Sequence, residues 1–132
     1  MDAEDLKDRL LFAIPKKGRL YEKTLALLKG ADIQFTRNNR LDIALCSNMP
    51  IALVFLGASD IAKFVAGGNV DIGITGQDML IENECLVDQL TELGFGKCDL
   101  CVQVPIASGT KLFYLRDNFC CRFDWKAYCY KF

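Results

Sequence analysis

The residues best suited to chemistry lie in the segment 15–20 (PKKGRL), where three cations surround a glycine. We expect this segment to join a buried strand to a helix, with Gly18 freeing the backbone of the turn. Lys16, Lys17 and Arg19 would then lie at a helix N-terminus, which already carries about half a positive charge and therefore favours an anion there. A phosphate site and a solvated basic loop are equally compatible with this segment taken alone.

A second candidate is the segment 67–78 (GGNVDIGITGQD), which spans the end of a predicted strand and the start of a helix. Open α/β sheets bind ligands at this end of their strands. Gly73 allows close backbone approach, and Thr75 and the amides after it can donate to an oxyanion. Asp71 and Asp78 have the chemistry to hold ribose hydroxyls or Mg²⁺-bound water. The alternative is that Asp78 only caps its helix and Asp71 only ends an edge contact. The glycine spacing differs from G-x-G-x-x-G, so no dinucleotide site is predicted.

Two arginines, Arg37 and Arg40, flank the pair Asn38-Asn39. On a tight turn they could close over a phosphate. Asparagine pairs are typical of turns, so the segment taken alone favours a solvated turn.

The overall composition excludes several kinds of site. The chain has 132 residues, no histidine and a net charge of −1. The lack of histidine rules out Ser-His-Asp and Cys-His nucleophiles and imidazole-bound zinc, and the net charge gives no global attraction to nucleic acid or membrane. No basic leader and no apolar run of about 20 residues is present, so we expect a cytoplasmic protein with reduced cysteines. Cys98 and Cys101 fall on a predicted strand and face opposite sides, which disfavours a shared metal.

Apolar runs separated by glycine, proline and polar turns predict an α/β fold. Because strands alternate with helices, we expect a mainly parallel sheet with helices packed on it. The predicted strands are residues 9–14, 33–36, 41–46, 51–56, 70–75, 86–92 and 99–104, and the predicted helices are residues 19–29, a short helix capped by Ser59 or Asp60, and residues 77–83 with Thr75 and Asp78 as a capping box.

The C-terminal segment differs in character from the rest. The last 22 residues hold eight of the 14 aromatic side chains and three of the seven cysteines, without a clear helical or strand period. One interpretation is a terminal helix or strand that closes the core. The other is a non-native tail, produced when a message is read through an intron or out of frame, and the abrupt change of composition favours it.

Taken together, LLFAIPKKGRL, RLDIAL, MPIALVFLGASDIAKFV and GGNVDIGITGQDMLIEN resemble ATP phosphoribosyltransferase of the fungal-type long form, over about residues 8–105. The resemblance implies the first lobe of a two-lobed, periplasmic-binding-protein-like (type II) α/β fold with its active site between the lobes. It also implies that a ring nitrogen of ATP attacks phosphoribosyl pyrophosphate, with Mg²⁺ bound to the departing pyrophosphate, in the first step of histidine biosynthesis. That nitrogen needs no strong base, which is consistent with the lack of histidine.

The same resemblance implies a set of substrate-binding residues. Lys17 and Arg19 would bind substrate phosphates, and Asp71, Gly73, Thr75 and Gly76 would form a backbone-lined cradle. It implies no protein ligand for a metal, and no residue is assigned a catalytic role. The matching positions are Lys17, Gly18, Arg19, Arg40, Asp71, Gly73, Thr75, Gly76 and Asp78.

From Ala107 onward the sequence no longer follows the family, so we divide the chain into a partial lobe, 1–106, and a divergent tail, 107–132. The family's second lobe, its returning strand and its histidine-sensing domain have no counterpart here. We therefore expect exposed apolar surface, poor stability and no turnover by this chain alone, and not the hexamer expected of the full-length family. The alternative is a non-catalytic nucleotide- or phosphate-binding module that associates with the intact enzyme. Neither hypothesis includes a nucleic acid or membrane partner.

Overall fold

The computed structural model describes residues 6–37, 41–97 and 127–131. Strands and helices alternate along most of this part of the chain, as the sequence predicts. In chain order the elements are β1 (Leu10–Pro15), α1 (Arg19–Gly30), β2 (Ile43–Leu45), β3 (Ile51–Leu56), α2 (Ala58–Ala66), β4 (Ile72–Gly76), α3 (Gln77–Glu82), β5 (Asp88–Glu92) and β6 (Ala127–Lys131).

The described strands form one sheet in the order β2-β3-β1-β4-β6-β5. Its centre is parallel, because β1 runs parallel to β3 on one side and to β4 on the other. Its flanks are antiparallel, since β2 pairs with β3 and β6 pairs with both β4 and β5 in that sense. The predicted α/β class is confirmed, and the sheet is mixed. β2 turns back beside β3 because the short link between them is too short for a parallel crossover.

The two faces of the sheet are covered by different helices. Successive residues of β1 belong to separate core clusters: Ala13 packs with Ile61 of α2, and Ile14 packs with Leu28 of α1. Both β1 residues are fully buried. A central strand covered on both faces needs apolar side chains at every position, which explains the continuous run in β1.

Two local predictions are wrong. Residues 33–36 do not form a strand, because Phe35 makes only an isolated bridge to Cys46. Asp32, with a φ of 54°, turns the chain just before this segment, and Asn48 bonds to the segment through its side chain. The apolar face predicted for the second helix included Phe64, whose side chain is 40% exposed.

The last strand lies within the divergent segment. β6 runs antiparallel between β4 and β5, with Ala127 opposite Gly76 and Lys131 opposite Ile72. Its backbone is therefore placed as the terminal-strand interpretation requires. The division of the chain at residue 107 stays a prediction. The predicted strand 99–104 lies outside the described residues.

α2 packs closely against β4 at Gly73. A Cβ atom at Gly73 would lie 2.7 Å from Cγ2 of Ile61 and 2.8 Å from Cγ2 of Val65. We expect Gly73→Ala to lower the free energy of unfolding by about 1–3 kcal/mol, because the helix must move away from β4. Urea unfolding of the 132-residue chain measures this. Gly30→Ala is the matched control, since a Cβ atom there meets nothing within 4 Å. Equal losses in both variants would contradict the packing argument.

The interior position of β6 generates a second prediction. Cys129 lies opposite Ile74 on one side and Thr91 on the other. Cys129→Pro removes a backbone N–H from a strand that is paired on both sides, so we expect a loss of at least about 1 kcal/mol in unfolding free energy. Cys129→Ala keeps the N–H and is the control. Identical thermal unfolding of the two variants would show that β6 does not belong to the sheet in solution.

Candidate functional site

A cleft lies at the carboxyl ends of β1, β3 and β4, where the three helices begin. Its volume is about 210 Å³. Parallel strands bring their carboxyl ends to one edge of a sheet, and ligands of open α/β sheets bind at that edge. The lining residues are Pro15, Lys17, Gly18, Arg19, Leu20, Ala58, Gly76, Asp78 and Met79.

Each helix that begins at the cleft has a glycine as its N-cap. These residues are Gly18, Gly57 and Gly76, and none can supply a side-chain cap to its helix. The predicted caps at Ser59 or Asp60 and at Thr75 are therefore wrong, because each helix follows directly from its glycine. Amide N–H groups in the first turns of α1 and α2 are left without a side-chain acceptor from the N-cap, which favours an anion in the cleft.

Gly18 shapes the basic side of the cleft. Its φ of 94° lies in the region that favours glycine, and a Cβ atom there would meet nothing within 4 Å. The backbone conformation, rather than packing, therefore requires glycine at this turn. The turn leaves Lys17 and Arg19 on the cleft wall.

The third predicted cation has a different role. The Nζ of Lys16 lies 2.7 Å from Oδ1 of Asp42, and both side chains are about half exposed. Lys16 thus ties the end of β1 to the start of β2 and does not line the cleft. Within the described part of the chain, neither Lys17 nor Arg19 makes an ion pair, so both charges face the cleft uncompensated by a carboxylate partner.

The acidic side of the cleft is Asp78, in the first turn of α3. A Cβ atom on Gly76 would collide with the Asp78 carboxylate, so this side chain folds back over the glycine that ends β4. A carboxylate at a helix N-terminus interacts favourably with the free amides. The cleft therefore combines two cations and one carboxylate.

Three predicted site residues lie away from the cleft. Asp71 bridges the opposite end of the sheet, where its Oδ2 accepts a hydrogen bond from the Leu11 N–H at 2.7 Å. Gly73 lies beneath α2, as described above. Thr75 is buried, and its hydroxyl donates to the Ala58 carbonyl at 2.9 Å. Arg40 lies outside the described residues.

The structure thus brings together five of the nine predicted positions, Lys17, Gly18, Arg19, Gly76 and Asp78. The sequence analysis missed Ala58 and Met79 as lining residues. Ala58 had a usable signal: it follows a glycine at the end of an apolar strand, as Gln77 follows Gly76. Met79 had none, since a methionine near the start of a short helix is ordinarily a core residue.

Three further features of the described residues bear on function: a buried thiol, the grouping of possible metal ligands and the length of the apolar helices. Burial raises the pKa of the Cys46 thiol, an effect that Arg9 partly opposes, so this cysteine is a poor nucleophile. The described ranges contain no group of three or more acidic or cysteine side chains placed to hold a metal ion. They also contain no helix long and apolar enough to cross a membrane.

Comparison with known proteins confirms the resemblance found in the motifs. Residues 57–118 match the family model described as ATP phosphoribosyltransferase, so the match runs into the segment 107–132. Curated proteins of that name are 61% identical over 101 residues in Yarrowia lipolytica, 62% over 102 residues in Candida albicans and 58% over 101 residues in Saccharomyces cerevisiae. Each alignment covers 76% of this chain and 34% of the relative.

A solved structure gives the same answer for the fold. The ATP phosphoribosyl transferase (HisG:HisZ) complex from Thermotoga maritima superposes with a TM-score of 0.56 and 30% sequence identity, over 65% of this chain and 41% of that chain. The mixed sheet with helices on both faces is therefore a partial lobe of that fold. By sequence and by fold the chain is similar to ATP phosphoribosyltransferases, and it spans about a third of the length of the curated relatives it matches.

Proposed function

We propose that the chain is the phosphate- and nucleotide-binding lobe of an ATP phosphoribosyltransferase. Such an enzyme joins ATP and phosphoribosyl pyrophosphate to give phosphoribosyl-ATP and pyrophosphate, the first step of histidine biosynthesis. The observation that carries the proposal is the cleft in which Lys17 and Arg19 meet the uncapped starts of α1 and α2. The names of the curated relatives support the same reaction.

The cleft suits a reaction that depends on binding and alignment. Arg19 can hold a phosphate through two parallel N–H donors, and Lys17 adds a point charge. Both would stabilise the charge that develops on departing pyrophosphate. The attacking ring nitrogen carries its own lone pair, so a cleft without imidazole or a paired base is sufficient. Holding two substrates in line supplies about 7–11 kcal/mol of the barrier reduction.

Mg²⁺ would enter with the substrate pyrophosphate. It typically keeps several waters and takes only one or two carboxylates besides the phosphates. Asp78 is a single carboxylate in the cleft, which fits a metal held mainly by substrate. We assign Asp78 to a metal-bound water or a ribose hydroxyl, and no protein cage for the metal is required.

The remaining predicted positions have supporting roles in this proposal. Gly73 lets α2 approach β4, and the Thr75 hydroxyl ties β4 to the first residue of that helix. Together they aim the start of α2 at the cleft. Asp71 holds the starts of β1 and β4 together, at the end of the sheet away from the cleft. Arg40 is proposed as a further phosphate ligand.

A single lobe forms only one wall of a two-lobed site. We propose that the residues of this lobe bind substrate, and that a cytoplasmic location and a hexameric assembly are properties of the complete enzyme. A non-catalytic binding module is the second candidate. Either form should bind ATP. Pyrophosphate release from ATP and phosphoribosyl pyrophosphate would identify a catalyst.

Arg19→Ala tests the cleft directly. We expect ATP and inorganic pyrophosphate to bind about 10–100-fold more weakly, because a hydrogen bond to a charged group contributes about 1.5–3 kcal/mol. Calorimetric titration of the 132-residue chain at low ionic strength measures the dissociation constants. Lys16→Ala is the matched control, since it removes a neighbouring cation that is paired with Asp42 outside the cleft. If the two variants bind ATP equally, the assignment of Arg19 fails.

A further inference from the structure

The start of α2 forms part of the cleft wall, and side-chain hydrogen bonds hold it there. Its first residue, Ala58, lines the cleft, and the Ala58 carbonyl accepts a hydrogen bond from the Thr75 hydroxyl at 2.9 Å. The hydroxyl of the next residue, Ser59, donates to the side-chain oxygen of Asn83 at 3.3 Å. The first two residues of α2 are therefore tied to β4 and to the end of α3.

The end of α3 fixes the position of Asn83. This residue is the C-cap of α3, and both its Nδ2 and its backbone N–H donate to the Met79 carbonyl, at 2.6 Å and 3.2 Å. Glu84 follows with a φ of 51°, and the N–H groups of residues 84 and 85 donate back to carbonyls in the last turn of α3. This is the pattern of a Schellman motif, which ends a helix in a defined conformation. The Asn83 side chain is thus held on two atoms before it meets Ser59.

The contact requires an amide side chain at position 83. The Met79 carbonyl can only accept, so the amino group of Asn83 must face it, and the side-chain oxygen is left to accept from Ser59. An aspartate could accept from Ser59 but could not donate to the carbonyl, and an alanine could do neither. Ser59 and Asn83 are both partly buried, so their hydrogen bond is stronger than it would be in open water.

The residue that Asn83 holds belongs to the part of α2 that can bind an anion. The first hydrogen bond of α2 runs from the Ile61 N–H to the Gly57 carbonyl at 3.0 Å. The N–H groups of residues 58–60 precede it and can donate to a phosphate. Met79, whose carbonyl orients Asn83, lines the same cleft. The Ser59–Asn83 bond therefore links the donor amides of α2 to the turn of α3 beside them.

We infer that Asn83 is a positioning residue, which holds the start of α2 at the cleft through Ser59 so that the amides of residues 58–60 can bind a phosphate. The inference rests on the proposed function, because phosphate is the ligand of the cleft only there. Asn83 is not one of the residues that line the cleft, so it acts on the ligand through Ser59.

A double-mutant cycle on the 132-residue chain separates positioning from direct binding. We expect Ser59→Ala and Asn83→Ala each to weaken the binding of inorganic pyrophosphate about fivefold, the effect of one lost hydrogen bond. The double variant should be no weaker than either single variant, because residues that act through one another are not additive. Ser59→Thr keeps a hydroxyl and should restore binding. Calorimetric titration at low ionic strength measures the dissociation constants.

Ser47→Ala is the matched control. It removes a hydroxyl that donates to the Gln34 carbonyl at 3.2 Å, a contact of the same kind outside the cleft. We expect Ser47→Ala and Ser59→Ala to lower the thermal unfolding midpoint to a similar, small extent, and only Ser59→Ala to weaken binding. Amide NMR spectra add a local readout: pyrophosphate should shift the signals of residues 58–60 in the parent chain and shift them less in Asn83→Ala.

Penalties that multiply in the double variant would overturn the inference, because Ser59 and Asn83 would then act separately. Weaker binding in Ser59→Ala but not in Asn83→Ala would overturn it in favour of a direct contact from Ser59. Both results leave the proposed function intact if Arg19→Ala still weakens binding.

A parent chain that binds no pyrophosphate would contradict the proposed function, and the binding role of Asn83 with it. Hydrogen exchange at the Ile61 amide, the first bonded amide of α2, then tests the contact by itself. Faster exchange in Asn83→Ala would show that Asn83 holds the start of α2, and exchange at the parent rate would show that it does not.

Discussion

β1 is hydrogen-bonded to a parallel strand on each side, and this pairing determines where α1, α2 and the cleft lie. Parallel neighbours require crossover connections, so α1 and α2 must each return along a face of the sheet. Both faces of β1 are then covered over its second half, where Ala13, Ile14 and Pro15 are buried. The same pairing puts the carboxyl ends of β1, β3 and β4 side by side. The helices that follow β1, β3 and β4 begin at that edge, so the cleft is a consequence of strand direction.

The glycines at this edge leave the starts of three helices without a side-chain cap. A serine or aspartate N-cap would satisfy one amide of its helix and contribute about 1 kcal/mol. Gly18, Gly57 and Gly76 supply no such acceptor. Amides left open in this way can donate to phosphate oxygens, which is the usual reason that helix starts bind anions. Gly76 has a second constraint, because the Asp78 carboxylate occupies the space of a side chain there.

The elements could be predicted from sequence more fully than the site. Continuous apolar runs locate β1 and β3 to within a residue, and the spacing of Tyr21, Leu25 and Leu28 locates α1. The first residue of a helix is harder to predict, because the apolar pattern stays the same if the helix begins one residue earlier. The strand predicted over residues 33–36 is wrong because this segment is held by a residue far along the chain. The Gln34 N–H donates a hydrogen bond to the side-chain oxygen of Asn48.

The structure separates some predicted site residues that are neighbours in the sequence. Asp71 and Asp78 are close in sequence, but they flank the five residues of β4, which span about 16 Å at about 3.3 Å per residue. Only one end of that strand faces the cleft. Lys16 and Lys17 are also adjacent in sequence, but Lys16 pairs with Asp42, just before β2, and Lys17 lines the cleft. Which end of a strand a residue occupies becomes known only when its neighbours in the sheet are known.

The strength of the cleft charges depends on how far the cleft is open to water. Lys17 and Arg19 line an open wall, so water and salt screen their attraction for phosphate. The same two cations act much more strongly when a second wall excludes water, because the interaction of charges grows as the local dielectric falls. Closure would also fix the direction from which a second substrate arrives. Most of the effect that Lys17 and Arg19 would have on a bound phosphate therefore depends on what covers the cleft.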